Sequence, residues 1–135
     1  MPSLTDLQMR TLAAAIDRIV PADDFPSATQ AGCIEFLLRL IDLEGLGDFY
    51  RSGLDGLVAE AAKHGASFAD LTSQNQDAQL KRCQGIKRSQ GWRVSPREFI
   101  DTLARQTIEG YYSDPGNGGN RGGVAWEMVG FKVTA

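Results

Sequence analysis

The chain has 135 residues, 42% of them apolar and 23% charged, with a net charge of −3. This is the composition of one ordinary globular domain; it excludes a disordered segment, and a core of this size leaves little room for a second domain. No apolar run approaches the roughly 20 residues needed to cross a bilayer, and the opening MPSLTDLQMR lacks the basic and apolar stretches of a secretory signal, so the sequence as it stands predicts a cytoplasmic protein.

The charge is unevenly spread. Residues 1–80 hold 5 basic and 12 acidic side chains, whereas residues 81–135 hold 9 basic and 5 acidic. Two electrostatically different faces follow, an arrangement that suits docking to another protein.

Taken in chain order, the segment from Ser3 to Pro21 reads as a helix. Ser3 or Thr5 caps it, and Leu12, Ile16, Ile19 and Val20 recur at helical spacing until Pro21 stops it. A turn with two prolines and the adjacent carboxylates Asp23 and Asp24 comes next. A second helix is predicted over about 30–45; it is apolar on several sides (Ile34, Phe36, Leu37, Leu38, Leu40, Ile41), which places it at the centre of a bundle. The third runs near 47–65 and ends at Gly65. A mostly polar fourth helix is predicted over 73–85. The fifth, 95–112, has the clearest start, with Ser95 as cap, Pro96 at the first helical position and Glu98 three residues on as the partner of a capping box. No stretch alternates with a period of two for long enough to build a sheet. The expected fold is all-α, a small bundle of about five helices in a single domain (1–135), with an irregular glycine-rich C-terminal segment from about 110 to 135.

Few constellations in the chain can do chemistry. Cys33 and Cys83 have no metal-binding spacing and read as buried thiols, a disulfide being the alternative in an exported protein. His64 is the only histidine, which argues against histidine metal sites and leaves any triad dependent on one residue. Asp23 and Asp24 suit turn chemistry better than an acid/base pair. The run 81–97 sets six basic residues around Trp92, a pattern that nucleic-acid binders share, but a pI near 5.1 and a single aromatic favour a solvated connecting face.

The most distinctive stretch is 110-GYYSDPGNGGNRGGVAWEMVGF-131. Its glycines follow a helix instead of joining a strand to one, do not fit G-x-G-x-x-G and precede no Walker lysine, so phosphate binding is a poor reading. The large apolar residues Val124, Trp126, Met128, Val129 and Phe131 do not suit a solvated tail either. The loop is therefore expected to turn the chain so that this strip packs on its own bundle or on a partner, glycine supplying the backbone freedom. From the residues alone an interaction protein is favoured, with a stand-alone small helical enzyme using His64 and the Asp23/Asp24 turn as the alternative.

Two stretches together resemble a known family. The segment 12-LAAAIDRIVPADDFPSATQAG-32 looks like its opening pattern, a helix running into a proline- and Asp-rich turn and then Phe-Pro-small-Ala. The segment 109–131 looks like its closing pattern: Glu-Gly, an aromatic, Ser-Asp-Pro, Gly-Gly-Asn, then Trp and a Gly-aromatic pair. The family is that of gluconate 2-dehydrogenase subunit 3, small subunits of bacterial flavin-dependent sugar and polyol dehydrogenases. The resemblance implies a non-catalytic partner of a glucose–methanol–choline-type large subunit that carries FAD and abstracts hydride from a sugar hydroxyl, with no cofactor or metal in this chain. A cytochrome c subunit is a further partner it allows; a membrane span and nucleic acid are not implied. Carried over residue by residue, Asp114, Pro115, Gly118, Gly119, Asn120 and Trp126 match the closing motif and Pro21, Asp23 and Pro26 the opening one. With Tyr111 and Tyr112, the closing set forms the expected partner-binding surface. This chain has Asn117 where the family usually has tyrosine before Gly-Gly-Asn. It also shows no twin-arginine leader of the kind that exports many members; a periplasmic location follows if one has been removed.

Overall fold

A computed structural model describes residues 4–113. Among these it has five α-helices and no strand: α1 (Asp6–Ile19), α2 (Cys33–Leu43), α3 (Gly47–Ala62), α4 (Ser73–Gln84) and α5 (Pro96–Tyr111), with a 3-10 turn at Phe68–Asp70 before α4. This is the expected small all-α bundle. None of these helices is long and apolar enough to cross a membrane.

Local signals set most of the helix ends. Thr5 and Gln8 form a reciprocal capping box on α1: Thr5 Oγ1 accepts from the Gln8 amide (3.0 Å) and Gln8 Oε1 from the Thr5 amide (2.9 Å). Thr72 caps α4 through the Asn75 amide. Ser95 caps α5 through the Glu98 amide (3.2 Å), with Pro96 in the first turn. Among the described residues the return bond from Glu98 is not formed, so only half of the expected box exists there. Gly65, at φ 76°, turns the chain after α3 in a conformation that side chains rarely adopt.

α5 occupies the centre. It packs on all four other helices, whereas α2 packs mainly on α5 and less on α3. The central position expected of α2 is thus corrected. A count of apolar residues measures how much surface a helix should bury, but not which neighbours are there to cover it. The start of α2 is also later than expected, because residues 27–32 form their own turn, described below, and Gly32 enters the helix at φ 88°.

Leu12, Ile16, Leu37, Ile41, Leu54, Leu57 and Leu103 fill the core with no more than 1% exposure. An aromatic cluster joins α3 to α5, with the Phe99 ring 5.7 Å from those of Phe49 and Tyr50. Two glycines of α3 make this approach possible. A Cβ on Gly53 would lie 2.1 Å from the Phe99 ring, and one on Gly56 would lie 2.4 Å from the Trp92 indole. The polar helix α4 joins the bundle through buried glutamines, Gln76 Nε2 donating to the Phe68 carbonyl (2.9 Å) and Gln79 Nε2 to that of Leu57 (3.0 Å). These bonds give the buried glutamine amides acceptors in place of water.

Both cysteines are free and buried, with no disulfide between them. Burial, more than any neighbouring charge, pushes the thiol of Cys33 up to about 12 and that of Cys83 up to about 11. Neither is therefore a nucleophile near neutral pH. In the native chain at pH 8, a disulfide-exchange reagent such as DTNB is expected to leave both thiols almost untouched, while denaturant releases two equivalents. Fast titration of either one in the native state would contradict this burial.

Candidate functional site

The opening family stretch and the described start of the closing one, residues 109–113, meet at one corner of the bundle, where the loop between α1 and α2 abuts the end of α5. The loop is held internally at each step. Asp23 Oδ1 accepts from the Phe25 amide (2.9 Å), an Asx turn closed by the Asp23 amide donating to the Phe25 carbonyl (3.0 Å). Ser27 and Gln30 exchange a reciprocal pair, Gln30 Oε1 accepting from the Ser27 amide (2.9 Å) and Ser27 Oγ from the Gln30 amide (3.3 Å). Asp17, on α1, clamps Thr29 by accepting from its amide (2.8 Å) and its hydroxyl (2.7 Å). Ala28 and Ala31 are fully buried, so the Phe-Pro-small-Ala pattern has a steric cause at Ala28: a larger side chain would meet the core.

α5 closes the corner from the other side. Tyr111 is 1% exposed and its hydroxyl donates to the Pro26 carbonyl at 2.7 Å, joining positions 85 residues apart in sequence. Burial, and then the Asp23 carboxylate, hold that hydroxyl above its ordinary pKa, so it remains a protonated donor. Gly110 lies under Phe36 of α2; a Cβ there would come within 2.6 Å of the ring. Cys33 Sγ contacts the Thr107 carbonyl at 3.7 Å. Tyr112 stands edge-on to Tyr111, with centroids 5.6 Å apart, and is 40% exposed. Of the predicted partner-binding pair, one tyrosine is thus a structural clasp and the other is available at the surface.

Tyr111→Phe is expected to cost about 1–2 kcal/mol, because it removes one hydrogen bond and leaves the Pro26 carbonyl to find another donor. A urea melt followed by circular dichroism measures it, and an unchanged midpoint would contradict the clasp. Asp114, Pro115, Gly118, Gly119, Asn120 and Trp126 lie outside the described residues.

The structure does not bring the alternative catalytic groups together in any hollow found among the described residues. Asp23 and Asp24 are exposed in the loop after α1. His64 is exposed on the turn after α3 and lines a hollow of about 210 Å³ with Leu71, Asn75, Ala78, Gln79 and Arg82, a set containing neither aspartate. No group of three or more His, Cys, Asp or Glu side chains among the described residues is placed to hold a metal ion. A larger hollow, about 510 Å³ between α1, α4 and α5, is lined mainly by Ile19, Leu80, Ile100 and Leu103, with the Arg18–Asp77 ion pair (2.7 Å) at its rim.

Much of the basic run 81–97 serves the fold. Arg97 donates to the carbonyls of Gln84 (3.0 Å) and Gly85 (3.2 Å), satisfying the open end of α4, while Lys81 and Arg82 lie in that helix's last turn, where its dipole favours cations. Trp92 covers Gly56. Burial alone would raise the Glu60 carboxyl, but the bond from Lys63 and the influence of Trp92 outweigh it and hold the group below the usual carboxylate range.

The described residues therefore define a helical domain in which the end of α5 is clasped to the loop between α1 and α2. The chain matches the family model of gluconate 2-dehydrogenase subunit 3 over residues 6–132, and it belongs to that family. The family name makes it a subunit of a multi-subunit dehydrogenase. No curated protein and no solved structure matches it.

Proposed function

We propose that this chain is the small, non-catalytic subunit that binds and stabilises an FAD-dependent sugar or glycoside dehydrogenase of the glucose–methanol–choline type. The observation that carries this reading is the family match across nearly the whole chain. FAD and the hydride abstraction belong to the large subunit. This chain supplies a rigid helical body and a fixed corner. The Tyr111 clasp fixes the end of α5, so that Tyr112 is presented to the flavoprotein from a set position. A pre-organised surface of this kind loses less entropy on binding than a mobile one.

Co-expression with the flavoprotein encoded in the same genome tests the reading. The two chains are expected to co-purify as one complex whose mass is the sum of both and whose absorbance is that of bound flavin. Elution of the two as separate species at micromolar concentration would contradict it. His64→Ala is expected to change neither the complex nor its sugar oxidation; loss of activity in that variant would favour the enzyme reading instead.

A further inference from the structure

α5 packs on all four other helices, yet one flank of it stays open. Ile100 and Ala104 wall the hollow of about 510 Å³ between α1, α4 and α5, together with Ile19 of α1 and Leu80 of α4. Ile108 and Tyr112 continue this flank at i, i+4 spacing toward the end of the helix. They are 47% and 40% exposed, two of only four large apolar side chains that stand so far out among the described residues. The other two, Leu7 and Leu43, lie on α1 and α2. Hollow and exposed stripe thus form one apolar track on α5, and it ends at Tyr112, next to the last described residue, Ser113.

The chain that continues from there supplies an occupant. Residues 114–135 hold Val124, Trp126, Met128, Val129 and Phe131, apolar side chains that need a cover. Ala104 lies about 14 Å back along α5 from Ser113, at the helical rise per residue. Residues 114–123, when extended, span about 33 Å, so they reach the track with length to spare. Gly116, Gly118, Gly119, Gly122 and Gly123 permit the reversal of direction that this needs. A strip on so short a tether meets the track at a millimolar effective concentration, well above that of any separate chain at micromolar level.

We propose that residues 124–131 fold back onto this track, with Trp126, the largest of the strip, covering Ile108. The sequence allows the strip a seat on its own bundle or on a partner, and position, reach and tethering favour its own bundle. Residues 113–123 then close into a loop beside Tyr112, which holds Asp114, Pro115, Gly118, Gly119 and Asn120 of the closing motif near the Tyr111 clasp. The proposal concerns this chain alone and stands apart from the subunit reading.

Ile108→Ala, Trp126→Ala and the double variant, each in the full isolated chain, test the seat. Each single change is expected to lower the melting temperature by about 3–6 °C. The double variant should melt no lower than the worse single one, because both remove the same contact. Trp126 emission, taken as the difference between the wild type and Trp126→Phe, should be that of a buried indole and shift to the solvent value in Ile108→Arg. Additive losses in the double variant, or a solvent-like Trp126 in the wild type, would overturn the proposal. So would a wild-type dimer that Ile108→Arg converts to a monomer, which assigns the track to a second copy. Ile108→Arg that leaves the isolated chain unchanged but abolishes the complex with the flavoprotein would assign the track to that partner and overturn it too. If Ile108→Arg fails to fold, as judged by circular dichroism, the alanine cycle alone decides. A chain that forms no complex at all bears on the subunit reading and not on this seat.

Discussion

Phe99→Ala is expected to lower stability by about 3–5 kcal/mol, the usual cost of emptying a fully buried aromatic site. Phe99 is wholly inaccessible and packs on Phe49 and Tyr50, so its removal opens a cavity where α3 crosses α5. Total stability for a domain of this kind is about 5–15 kcal/mol, so the loss is a large share of it. The partner of Phe99 across this contact gives a sharper test. In a helix interior, Gly→Ala ordinarily gains up to about 1 kcal/mol. At Gly53 the added Cβ would meet the Phe99 ring at 2.1 Å, near its anchored Cγ as well as its free edge, so the ring cannot simply swing aside. Gly53→Ala is therefore expected to destabilise by about 1–3 kcal/mol, reversing the propensity effect. The double variant should be more stable than the sum of the single losses, since the new methyl group occupies part of the vacated space. Thermal and urea melts of the four proteins measure this cycle. A stabilising Gly53→Ala would contradict the close approach of the two helices.

The second large effect concerns assembly. A chain ending at Tyr112 is expected to remain a folded helical domain yet to lose the complex with the flavoprotein. The helix caps, the buried core and the Tyr111–Pro26 bond all lie within residues 5–111, so folding does not depend on the removed part for these contacts. The removed part holds the closing family motif and the apolar residues Val124, Trp126, Met128, Val129 and Phe131, which by sequence have little reason to stay solvated. Circular dichroism should show the helices intact, and gel filtration with the flavoprotein should show two separate peaks. Full binding and activity by the truncated chain would contradict the role given to this segment.

Several helix ends were legible in the sequence because their causes are local. Thr5, Ser95 with Pro96, and the stop at Pro21 each act within one turn of the chain. The turn role of Asp23 was legible for the same reason. Long-range relations were not. Nothing near Gly53, Gly56 or Gly110 announces that Phe99, Trp92 and Phe36 will lie against them, since each contact joins two elements distant in sequence. The same holds for Tyr111 and Pro26, where a tyrosine expected at a partner surface proves to be an internal tie across the fold. The glutamines of α4 were hidden in another way. They read as polar surface, yet Gln76 and Gln79 face inward, their side-chain amides donating to the carbonyls of Phe68 and Leu57. The several apolar sides of α2 predict a central helix, and the structure corrects that placement. The bundle centre belongs to α5, and part of the apolar surface of α2 remains exposed.

The most direct test of the central claim is the rate of dye-linked sugar oxidation by the flavoprotein expressed with and without this chain, at matched flavin content. The subunit account predicts high activity with the chain, little without it, and none from the chain alone. A flavoprotein that is equally active and equally stable when expressed alone would contradict it.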